Sequence, residues 1–397
     1  MRILFVTPFV PDPGGSHGGA VYLGTYLQEL AHHAEVALVS LVSAGDRAAL
    51  SSLPAGLASV DAVPHTPLRD LGSLKRCLHK LSMARAWGAG GLPLLAAKHR
   101  SAALASRLQE TVRQFSPDVA LVEMAVMAQY LRLLDGIPTV LTDHEHGAAL
   151  PAAIGPRGLG QTRDRRLWMR YVLQNYVRAS LVQALNTDDA ERLSSLLERP
   201  VEIRPPIVPV PADAAAPAEA PERVLFLGNY LHAPNIEAAI KLVEEVWPRV
   251  RERRPDAEFW LAGGHAPAAV RKLADRPGVR VIGEIEDLDG LLGTVRLLLA
   301  PLYSGGGTRM KVLTSLAHGL PVVSNRLGLR GVDAPPIAAR LGESPGELAD
   351  AVVGLLNDPA AAAEAGAAGR SWAKEQLSPQ RLVTAQLERF AALTATG

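Results

Sequence analysis

The segment from Ala300 to Asn325 has the composition of an anion-binding turn. Its central feature is a run of small residues followed by positive charge, namely Gly305, Gly306, Gly307, Thr308, Arg309 and Lys311. A strand is predicted to end at Pro301, and Thr308 is a suitable N-cap for a helix that stops before Gly319. Glycines let backbone N–H groups approach a phosphate closely, and the helix dipole and both cations favour negative charge there. The segment lacks the Gly-Lys-Ser/Thr ending of a Walker A loop and the GxGxxG spacing of a dinucleotide site. The predicted ligand is a phosphate or pyrophosphate, and the alternative is a plain turn with surface cations.

A second glycine-rich loop follows the first predicted strand. It contains the pairs Gly14-Gly15 and Gly18-Gly19, and an amphipathic helix is predicted to begin near Ala20. Loops at the carboxyl edge of a parallel sheet line the ligand crevice of α/β proteins. These glycines are therefore candidates for close approach to a ligand, and a flexible loop tip is the alternative.

Four ionisable residues directly follow another predicted strand: Asp143, His144, Glu145 and His146. The His-x-His pair with flanking carboxylates has the ligand types of a zinc site, but the sequence supplies no further Cys/His cluster to complete one. No metal site is therefore predicted. The favoured interpretation is that His144 lies near a reacting centre, and the alternative is that the group makes structural hydrogen bonds.

Short β-branched runs alternate with helical patterns along the whole chain, which predicts an α/β fold of parallel sheets covered by helices on both faces. In the first half the predicted strands are Ile3 to Thr7, Glu35 to Val42, Val119 to Val122, Thr139 to Thr142 and Leu181 to Leu185. In the second half they are Val224 to Gly228, Glu258 to Ala262, Val279 to Gly283, Val295 to Ala300 and Pro321 to Ser324. The sequence thus predicts two sheets of similar kind.

A proline-rich segment separates the two halves. From Ile203 to Arg223 the chain has six prolines and few large apolar residues after Val210, a composition that holds neither a helix nor a central strand. The predicted organisation is an N-terminal domain over residues 1–204, a linker over 205–222 and a C-terminal domain over 223–397. Terminal helices from Asp358 onward are assigned to that C-terminal domain.

Composition excludes several classes of protein. The 397 residues are 48% hydrophobic and 20% charged, which is typical of globular proteins and not of disordered chains. One cysteine, Cys77, permits no internal disulfide, and neither a signal peptide nor an apolar run of about 20 residues is present. The expected location is the cytoplasm, including the inner face of a membrane.

Positive charge is concentrated between Arg69 and Arg113, where nine Lys or Arg residues face only Asp70 and Glu110. Such a stretch binds phosphate-bearing partners or an anionic membrane surface, and a solvated helical face is the alternative. Aromatic residues are only 5% of the chain and do not alternate with these cations. Nucleic acid is therefore not an expected partner.

Taken together, these segments resemble the GT-B glycosyltransferases, and more closely family 4 of retaining, nucleotide-sugar-dependent enzymes. The resemblance rests on MRILFVTPF with the following glycine pairs, VLFLGNYLHAPNIEAAIKLVEEVWP, AEFWLAGG, VRVIGEIEDL and PLYSGGGTRMKVL with LAHGLPVVSN. It is continuous from about Arg223 to the C-terminus and weaker over residues 1–30 and 117–190. Residues 44–115 show no resemblance. The fold it implies is two Rossmann-like domains that face each other across a cleft.

The resemblance also implies roles for individual residues. The diphosphate and sugar of the donor would bind Gly305, Gly306, Gly307, Thr308 and Arg309, with Lys311 nearby. Gly18 and Gly19 would approach the donor phosphate and the acceptor, and His144 would face the transferred sugar. The backbone at Glu284, Ile285 and Glu286 would bind the nucleobase. Asn229 and Gly263 would line the same crevice. The donor is a nucleoside-diphosphate sugar, and neither a cofactor nor a metal is implied.

One position departs from this pattern. Where the family usually carries a Glu that accepts both ribose hydroxyls, this chain has Thr314, and the partner Glu eight residues earlier is replaced by Gly306. One hydroxyl in place of a bidentate carboxylate weakens donor binding by about 1 to 3 kcal/mol. A non-catalytic GT-B protein that binds a nucleotide sugar or a partner is therefore the alternative to a glycosyltransferase. A nucleotide-sugar epimerase is disfavoured because the glycine-rich loop lacks a matching Glu.

Overall fold

The structure is a computed structural model that describes residues 1–15, 18–43, 48–65, 73–144, 159–305 and 309–395. It divides into two compact units. Unit 1 comprises Met1–Ile207 together with Pro379–Gly397, and unit 2 comprises Val208–Gly305 and Arg309–Ser378.

Unit 1 is built on a seven-stranded parallel sheet with the order β3-β2-β1-β4-β5-β6-β7. Its strands are β1 Arg2–Thr7, β2 Glu35–Val42, β3 Ser59–Pro64, β4 Val119–Glu123, β5 Thr139–Asp143, β6 Leu181–Ala184 and β7 Glu202–Ile203. Every residue of β1 after Arg2 is buried because helices cover both faces of the sheet. The strand order reverses at β1, which lies between β2 and β4, and such a reversal creates a crevice at the carboxyl ends of these strands.

The helices of unit 1 connect these parallel strands. They are Gly18–His33, Ser73–Gly88, Leu94–Lys98, Ala102–Phe115, Leu159–Tyr176, Thr187–Leu197 and Pro379–Ala395, with 3-10 turns at Ala48–Ser52 and Ala125–Leu133. Local sequence explains where two of them begin. The Ser101 hydroxyl accepts a hydrogen bond from the Leu104 N–H, and the Asn186 side chain accepts one from the Asp189 N–H.

Unit 2 repeats the architecture with a six-stranded parallel sheet in the order β10-β9-β8-β11-β12-β13. Its strands are β8 Arg223–Leu227, β9 Glu258–Ala262, β10 Val279–Gly283, β11 Leu297–Leu299, β12 Val322–Ser324 and β13 Ala339–Leu341. Here the order reverses at β8, between β9 and β11. The second crevice of the chain therefore lies at the carboxyl ends of β8 and β11.

The helices of unit 2 are Ala233–Lys241, Trp247–Arg253, Ala268–Arg271, Leu288–Gly293, Met310–Ala317, Pro345–Asn357 and Pro359–Gln376. A π-helical turn, Leu242–Val246, joins the first two, and the 3-10 turn Lys272–Asp275 follows Ala268–Arg271. The helix Pro345–Asn357 begins with a capping box in which Ser344 and Glu347 exchange side-chain to backbone hydrogen bonds. Two parallel α/β sheets with C-terminal helices confirm the predicted fold class.

All ten predicted strands are present, with bounds that differ by at most two residues. The sequence missed β3, β7 and β13, each of which lies at an edge of its sheet. Edge strands have one unpaired side and less burial, so their side chains need not be apolar. In β3 only Val63 is buried, and β7 has only two residues.

The proline-rich segment is not a free linker. Within the predicted linker 205–222, residues from Val208 onward pack on unit 2: the N–H of Val208 donates to the Leu377 carbonyl, and the N–H of Ala215 donates to the His318 carbonyl. The Arg370 guanidinium also donates to three successive carbonyls of this segment, at residues 211–213. Prolines remove backbone donors but leave carbonyls, and one arginine satisfies several of them.

The last helix is the second correction to the predicted organisation. The sequence assigned it to the C-terminal domain 223–397, whereas the structure places Pro379–Ala395 in unit 1. Val383 and Phe390 are fully buried there, and the amide of Gln183 on β6 donates to the side-chain oxygen of Gln386. The apolar face of this helix is therefore covered by the N-terminal sheet and its helices.

Candidate functional site

The predicted anion-binding turn begins at the carboxyl end of β11 in unit 2. The Ser304 hydroxyl donates to the Glu237 carboxylate at 2.6 Å, and this hydrogen bond lowers the pKa of Glu237. Gly305 has a φ of +93°, and a Cβ there would lie 2.8 Å from Pro234 Cγ. The glycine is thus required by its backbone angle and by close approach to the helix Ala233–Lys241. Gly306, Gly307 and Thr308 lie outside the described residues.

Arg309 stands at the N-cap of the helix Met310–Ala317, which ends before Gly319 as predicted; Gly319 has a φ of +84°. The arginine is only 5% exposed, and its Nε donates to the Leu327 carbonyl at 3.0 Å. Its charge therefore lies beneath the turn rather than extending into solvent. A buried cation at this position adds to the positive potential of the helix N-terminus.

Lys311, one turn into the same helix, is partly buried at the carboxyl end of β8. Its Nζ lies 2.7 Å from the Asn235 side-chain oxygen and 4.3 Å from the centroid of the Phe226 ring. Burial, with a contribution from the Arg309 charge, lowers the pKa of Lys311 to about 7. Among the described residues Lys311 has no carboxylate partner, so a bound diphosphate would supply the negative charge that favours its ammonium form.

Asn235 is a residue that sequence reasoning missed. It lies in the first turn of the helix Ala233–Lys241, accepts from Lys311 and donates to the carbonyl of Asn229. Its position could have been predicted, because it follows β8 by only a few residues, as the predicted site residue Asn229 does. The side-chain oxygen of Asn229 is engaged locally by the Leu231 N–H. The two asparagines therefore fix the loop that carries the Lys311 contact.

Gly263, at the end of β9, lets two strand ends come together. Its φ is +135°, and a Cβ would lie 2.0 Å from the Gly228 carbonyl oxygen. Its N–H donates to the Gly283 carbonyl at 2.6 Å. Gly263 is therefore a packing residue of the crevice, which brings the ends of β8, β9 and β10 together.

The remaining predicted residues of unit 2 lie along the same edge of the sheet. Glu284 is exposed directly after β10, and Ile285 is partly buried against the apolar cluster beneath the helix Met310–Ala317. Thr314 is partly buried, and its carbonyl contacts Nδ1 of His318 at 2.7 Å. The other ring nitrogen of His318 lies 2.8 Å from the Asp289 carboxylate. This bridge joins the helix that carries Thr314 to the helix Leu288–Gly293.

In unit 1 the second glycine pair, Gly18 and Gly19, forms the first turn of the helix Gly18–His33. The loop before it folds back on the helix, because the Asp12 N–H donates to the Ala20 carbonyl at 3.0 Å. A Cβ at Gly24 would lie 2.3 Å from the Pro13 nitrogen, so this glycine also permits the close approach. The predicted loop glycines are thus part of an ordered turn at the carboxyl end of β1.

His144 follows β5 and lies in a buried network of charged side chains. Its Nε2 is 2.7 Å from the carboxylate of Glu123, the last residue of β4. Both oxygens of that carboxylate also accept from Arg204, each at 2.7 Å. Burial alone would raise the pKa of Glu123, but the guanidinium and the histidine outweigh it and lower the pKa to about 2. The carboxylate is therefore ionised at neutral pH.

Two tyrosines enclose this network. Tyr22 contacts the His144 ring edge-on with 5.3 Å between centroids, and the Arg204 guanidinium lies 4.5 Å from the Tyr26 ring centroid. Burial raises the pKa of Tyr26 to about 12 and that of Tyr22 further still, so both phenols are neutral. Sequence reasoning found His144 but missed Glu123, Arg204 and the tyrosines. Glu123 could have been predicted as a site residue, because it is a charged residue at the end of the apolar run VALVE.

In the parts of the chain that the structure describes, no group of three or more His, Cys, Asp or Glu side chains is arranged to hold a metal ion. Glu145 and His146 lie outside those parts. Over the same residues, none of the helices has both the length and the apolar character needed to cross a membrane.

Comparison with known proteins agrees with the architecture. Residues 221–358, most of unit 2, match the family model described as glycosyl transferases group 1. Sucrose-phosphate synthase from Thermosynechococcus elongatus is similar over 100% of both chains, with a TM-score of 0.71 and 15% identity. Anabaena HepE in complex with UDP and glucose is similar over 99% of this chain and 100% of that chain, with a TM-score of 0.68 and 14% identity.

A third solved structure, S. aureus TarM in a complex that includes UDP, covers 72% of this chain and 59% of its own, with a TM-score of 0.56 and 14% identity. No curated protein sequence matches the chain significantly. At such identities the structural neighbours establish the fold, which is GT-B, and the match of unit 2 adds the class of activity. The protein is a glycosyltransferase of the GT-B fold.

Proposed function

We propose that the protein transfers a sugar from a nucleoside-diphosphate sugar to an acceptor hydroxyl, with retention at the anomeric carbon and without a metal. The observation that carries the proposal is Lys311, whose amino group at the carboxyl end of β8 contacts an amide oxygen and an aromatic face and has no carboxylate partner among the described residues. The buried cation Arg309 lies two residues before it, and Gly305 has a positive φ. Retention and metal independence rest on the resemblance to family 4.

The chemistry asked of these groups is stabilisation of a leaving group. As the bond from the anomeric carbon to the β-phosphate oxygen breaks, negative charge grows on the diphosphate. Fixed cations and backbone donors stabilise that charge more in the transition state than in the ground state. In this proposal Lys311 and Arg309 stabilise the diphosphate, and His144 hydrogen-bonds the transferred sugar or the acceptor hydroxyl.

Thermal stability in the presence of nucleoside diphosphates tests the donor site. UDP is the first probe because the HepE and TarM structures contain UDP. At one hundred times its dissociation constant a ligand adds about 2.7 kcal/mol to the free energy of unfolding, which raises Tm by several degrees. The variant Lys311→Met should lose most of that increase, while Lys272→Met, an exposed lysine of the same unit, should keep it. No increase with any nucleoside diphosphate would contradict the proposal.

Turnover separates the enzyme from a non-catalytic binding protein. Release of UDP from a UDP-sugar in the presence of candidate acceptors measures transfer directly. The non-catalytic alternative predicts UDP binding without release, and the proposed function predicts both. The acceptor is an alcohol whose identity the release assay can screen.

Thr314 gives a gain-of-function test of the ribose contact. If this position faces the ribose, Thr314→Glu supplies a bidentate carboxylate and should tighten UDP binding by about 10- to 100-fold. Thr294→Glu places the same charge on an exposed threonine of unit 2 and should leave affinity unchanged. Calorimetric titration with UDP measures both, and equal affinities would place Thr314 outside the nucleotide site.

We further propose that the helix Ser73–Gly88 contacts an anionic membrane surface. Leu78 and Leu81, one turn apart, are 59% and 62% exposed. Lys80 and Arg85 are exposed on the same helix, and its sequence contains no acidic residue. A basic helix that exposes leucines fits a surface of anionic headgroups over acyl chains. The first residues of the basic stretch Arg69 to Arg113, 69–72, lie outside the described residues.

The single cysteine offers a direct assay of this contact. Cys77 is exposed on that helix, so an environment-sensitive fluorophore attached there should shift to the blue with vesicles that contain phosphatidylglycerol. The shift should be absent with phosphatidylcholine alone and in the double variant Leu78→Ser, Leu81→Ser. Leu231→Ser, which changes a leucine 59% exposed in unit 2, is the matched control. Equal signals from both vesicle types would contradict an anionic surface.

A further inference from the structure

The network around His144 contains more charge than the stability of the fold requires. Glu123 and Arg204 are fully buried, and each is separated from water by β4, the segment after β7 and the helix Gly18–His33. Replacing a buried ion pair by apolar side chains of similar volume is often neutral or stabilising. The ion pair is therefore better explained by its effect on a neighbouring side chain than by a contribution to the free energy of unfolding.

That neighbour is His144. Its Nε2 lies 2.7 Å from the Glu123 oxygen that also accepts from Arg204. An ionised carboxylate has no proton to donate, so the hydrogen bond requires the proton to be on Nε2. The edge-on contact with Tyr22 limits rotation of the same ring. Both the orientation of the imidazole and its tautomer are thus determined by buried groups.

We propose that Glu123 and Arg204 are positioning residues that hold His144 in the Nε2–H tautomer, so that Nδ1 is the nitrogen that accepts a hydrogen bond from substrate. Arg204 has a second effect, because its two hydrogen bonds to Glu123 fix both oxygens of the carboxylate that accepts from Nε2. Among the described residues, His144 contacts the Glu123 carboxylate and the Tyr22 ring, and Arg204 lies over the rings of Tyr22 and Tyr26. The buried carboxylate of Asp143, next to His144 in the chain, accepts from the Tyr176 hydroxyl.

The identity of the hydroxyl group that donates to Nδ1 rests on the proposed function, in which His144 contacts the donor sugar or the acceptor. The assignment of the His144 tautomer is independent of the proposed function. An acceptor nitrogen of fixed direction orients a hydroxyl group in the reacting geometry, and loss of such orientation lowers kcat more than it raises KM. The ion pair thus acts on the reaction through His144 and does not itself touch substrate.

Nitrogen NMR of the imidazole reports the tautomer without any need for turnover. In protein labelled with 15N histidine, the shifts of the two ring nitrogens distinguish Nε2–H, Nδ1–H and the imidazolium, and His144→Gln identifies the signal. At a pH where the imidazole is neutral, we expect the Nε2–H pattern. An Nδ1–H tautomer there would overturn the proposal, whatever the outcome of the UDP experiments.

Two double variants separate positioning from stability. Glu123→Gln with Arg204→Met removes both charges but keeps a side-chain oxygen that accepts from Nε2. Glu123→Leu with Arg204→Met removes both charges and the acceptor. Because neither leaves a buried charge unpaired, both should fold with Tm close to that of the wild type. The first should keep the Nε2–H tautomer, and the second should show a mixture of tautomers.

The value of kcat should depend on which tautomer His144 adopts in each variant. We expect kcat of the Gln-Met variant to fall by less than about 5-fold and that of the Leu-Met variant by about 10- to 100-fold, with KM for the UDP-sugar changed little. Asp164→Asn is the matched control, because Asp164 is a buried carboxylate of the same unit that accepts from the indole N–H of Trp87 and the backbone N–H of Leu94. It should leave the His144 spectrum unchanged. Identical spectra and kcat values in the two double variants would overturn the proposal.

Discussion

At the scale of single residues, two buried cations show opposite responses to burial. Arg204 keeps its charge because Glu123 lies against it with two hydrogen bonds, and this carboxylate outweighs the effect of burial and raises the pKa of the guanidinium. Among the described residues Lys311 contacts an aromatic face and an amide oxygen but no carboxylate, and burial, with a contribution from Arg309, lowers its pKa to about 7. The first arrangement fixes a charge, and the second leaves a charge available to an anionic ligand.

The lowered pKa of Lys311 gives stability a specific dependence on pH. In the unfolded chain this lysine has its ordinary pKa of 10.5, so between pH 7 and 10.5 the unfolded state binds the additional proton. The free energy of unfolding must then rise with pH in that window. We expect the wild type to gain about 1 to 2 kcal/mol between pH 7 and 9 relative to Lys311→Met, measured by urea denaturation. Equal pH slopes would show that the pKa of Lys311 is not lowered.

Gly263 is the position where a single methyl group should be most disruptive. An alanine Cβ would meet the Gly228 carbonyl oxygen at 2.0 Å, and the φ of +135° is unfavourable for any side chain. We expect Gly263→Ala to lower the free energy of unfolding by about 2 to 4 kcal/mol in chemical denaturation. Gly293→Ala is the control, because nothing lies within 4 Å of its Cβ. If both variants matched the wild type, the strand ends would not be packed as described.

At the scale of elements, the proline-rich segment shows how a chain without regular structure is held in place. Its prolines give it few N–H donors, and its carbonyls are satisfied from outside by Arg370 of the helix Pro359–Gln376. Arg370 also donates to the Ala317 carbonyl at the end of the helix Met310–Ala317. One guanidinium thus joins this segment to the helix that carries Lys311.

Removal of that guanidinium should release the segment. In Arg370→Ala we expect amide exchange of peptides that span residues 208–220 to increase by at least 10-fold, because several carbonyls lose their donor. Lys374→Ala changes an exposed cation on the same helix and should leave exchange unaltered. Hydrogen exchange with mass spectrometry resolves these peptides. Unchanged exchange in Arg370→Ala would mean that other contacts hold the segment.

At the scale of the whole molecule, unit 1 is assembled from both ends of the chain. The first 207 residues form the sheet, and the helix Pro379–Ala395 returns to it after unit 2, Val208–Gly305 with Arg309–Ser378. Phe390 and Val383 are buried in unit 1, and Arg389 donates to Glu202 on β7. The core of unit 1 is therefore complete only after this helix has been synthesised.

Loss of the Phe390 side chain should affect one unit and not the other. Phe390→Ala leaves a cavity in unit 1 and should cost about 3 to 5 kcal/mol. We expect faster hydrogen exchange in peptides of β5, β6 and the helix Gly18–His33, with the strands of unit 2 unchanged. Glu388→Ala, at an exposed position of the same helix, is the control. Faster exchange confined to unit 2 would contradict the assignment of this helix.

Periodicity predicted the two sheets because buried parallel strands must be continuously apolar, and that pattern is local in sequence. Three of the four edge strands were missed for the same reason, since an edge strand such as β3 does not need an apolar sequence. The glycine pattern predicted an anion site after β11, and that site stays a prediction. Gly305 and Gly263 have backbone angles that glycine alone adopts easily, and those angles depend on neighbouring residues of the chain.

The partners of the predicted residues could not be read from the sequence. Glu123 and Arg204 are 81 residues apart, and Lys311 and Asn235 are 76 apart. The destination of the last helix and the docking of the proline-rich segment are equally non-local. The sequence alone determined ten of the thirteen described strands, the two sheets and the residue types of the candidate site, because each depends on short-range pattern. Only the tertiary structure decided which charges meet and which pKa values shift, because burial and pairing arise where distant segments pack together.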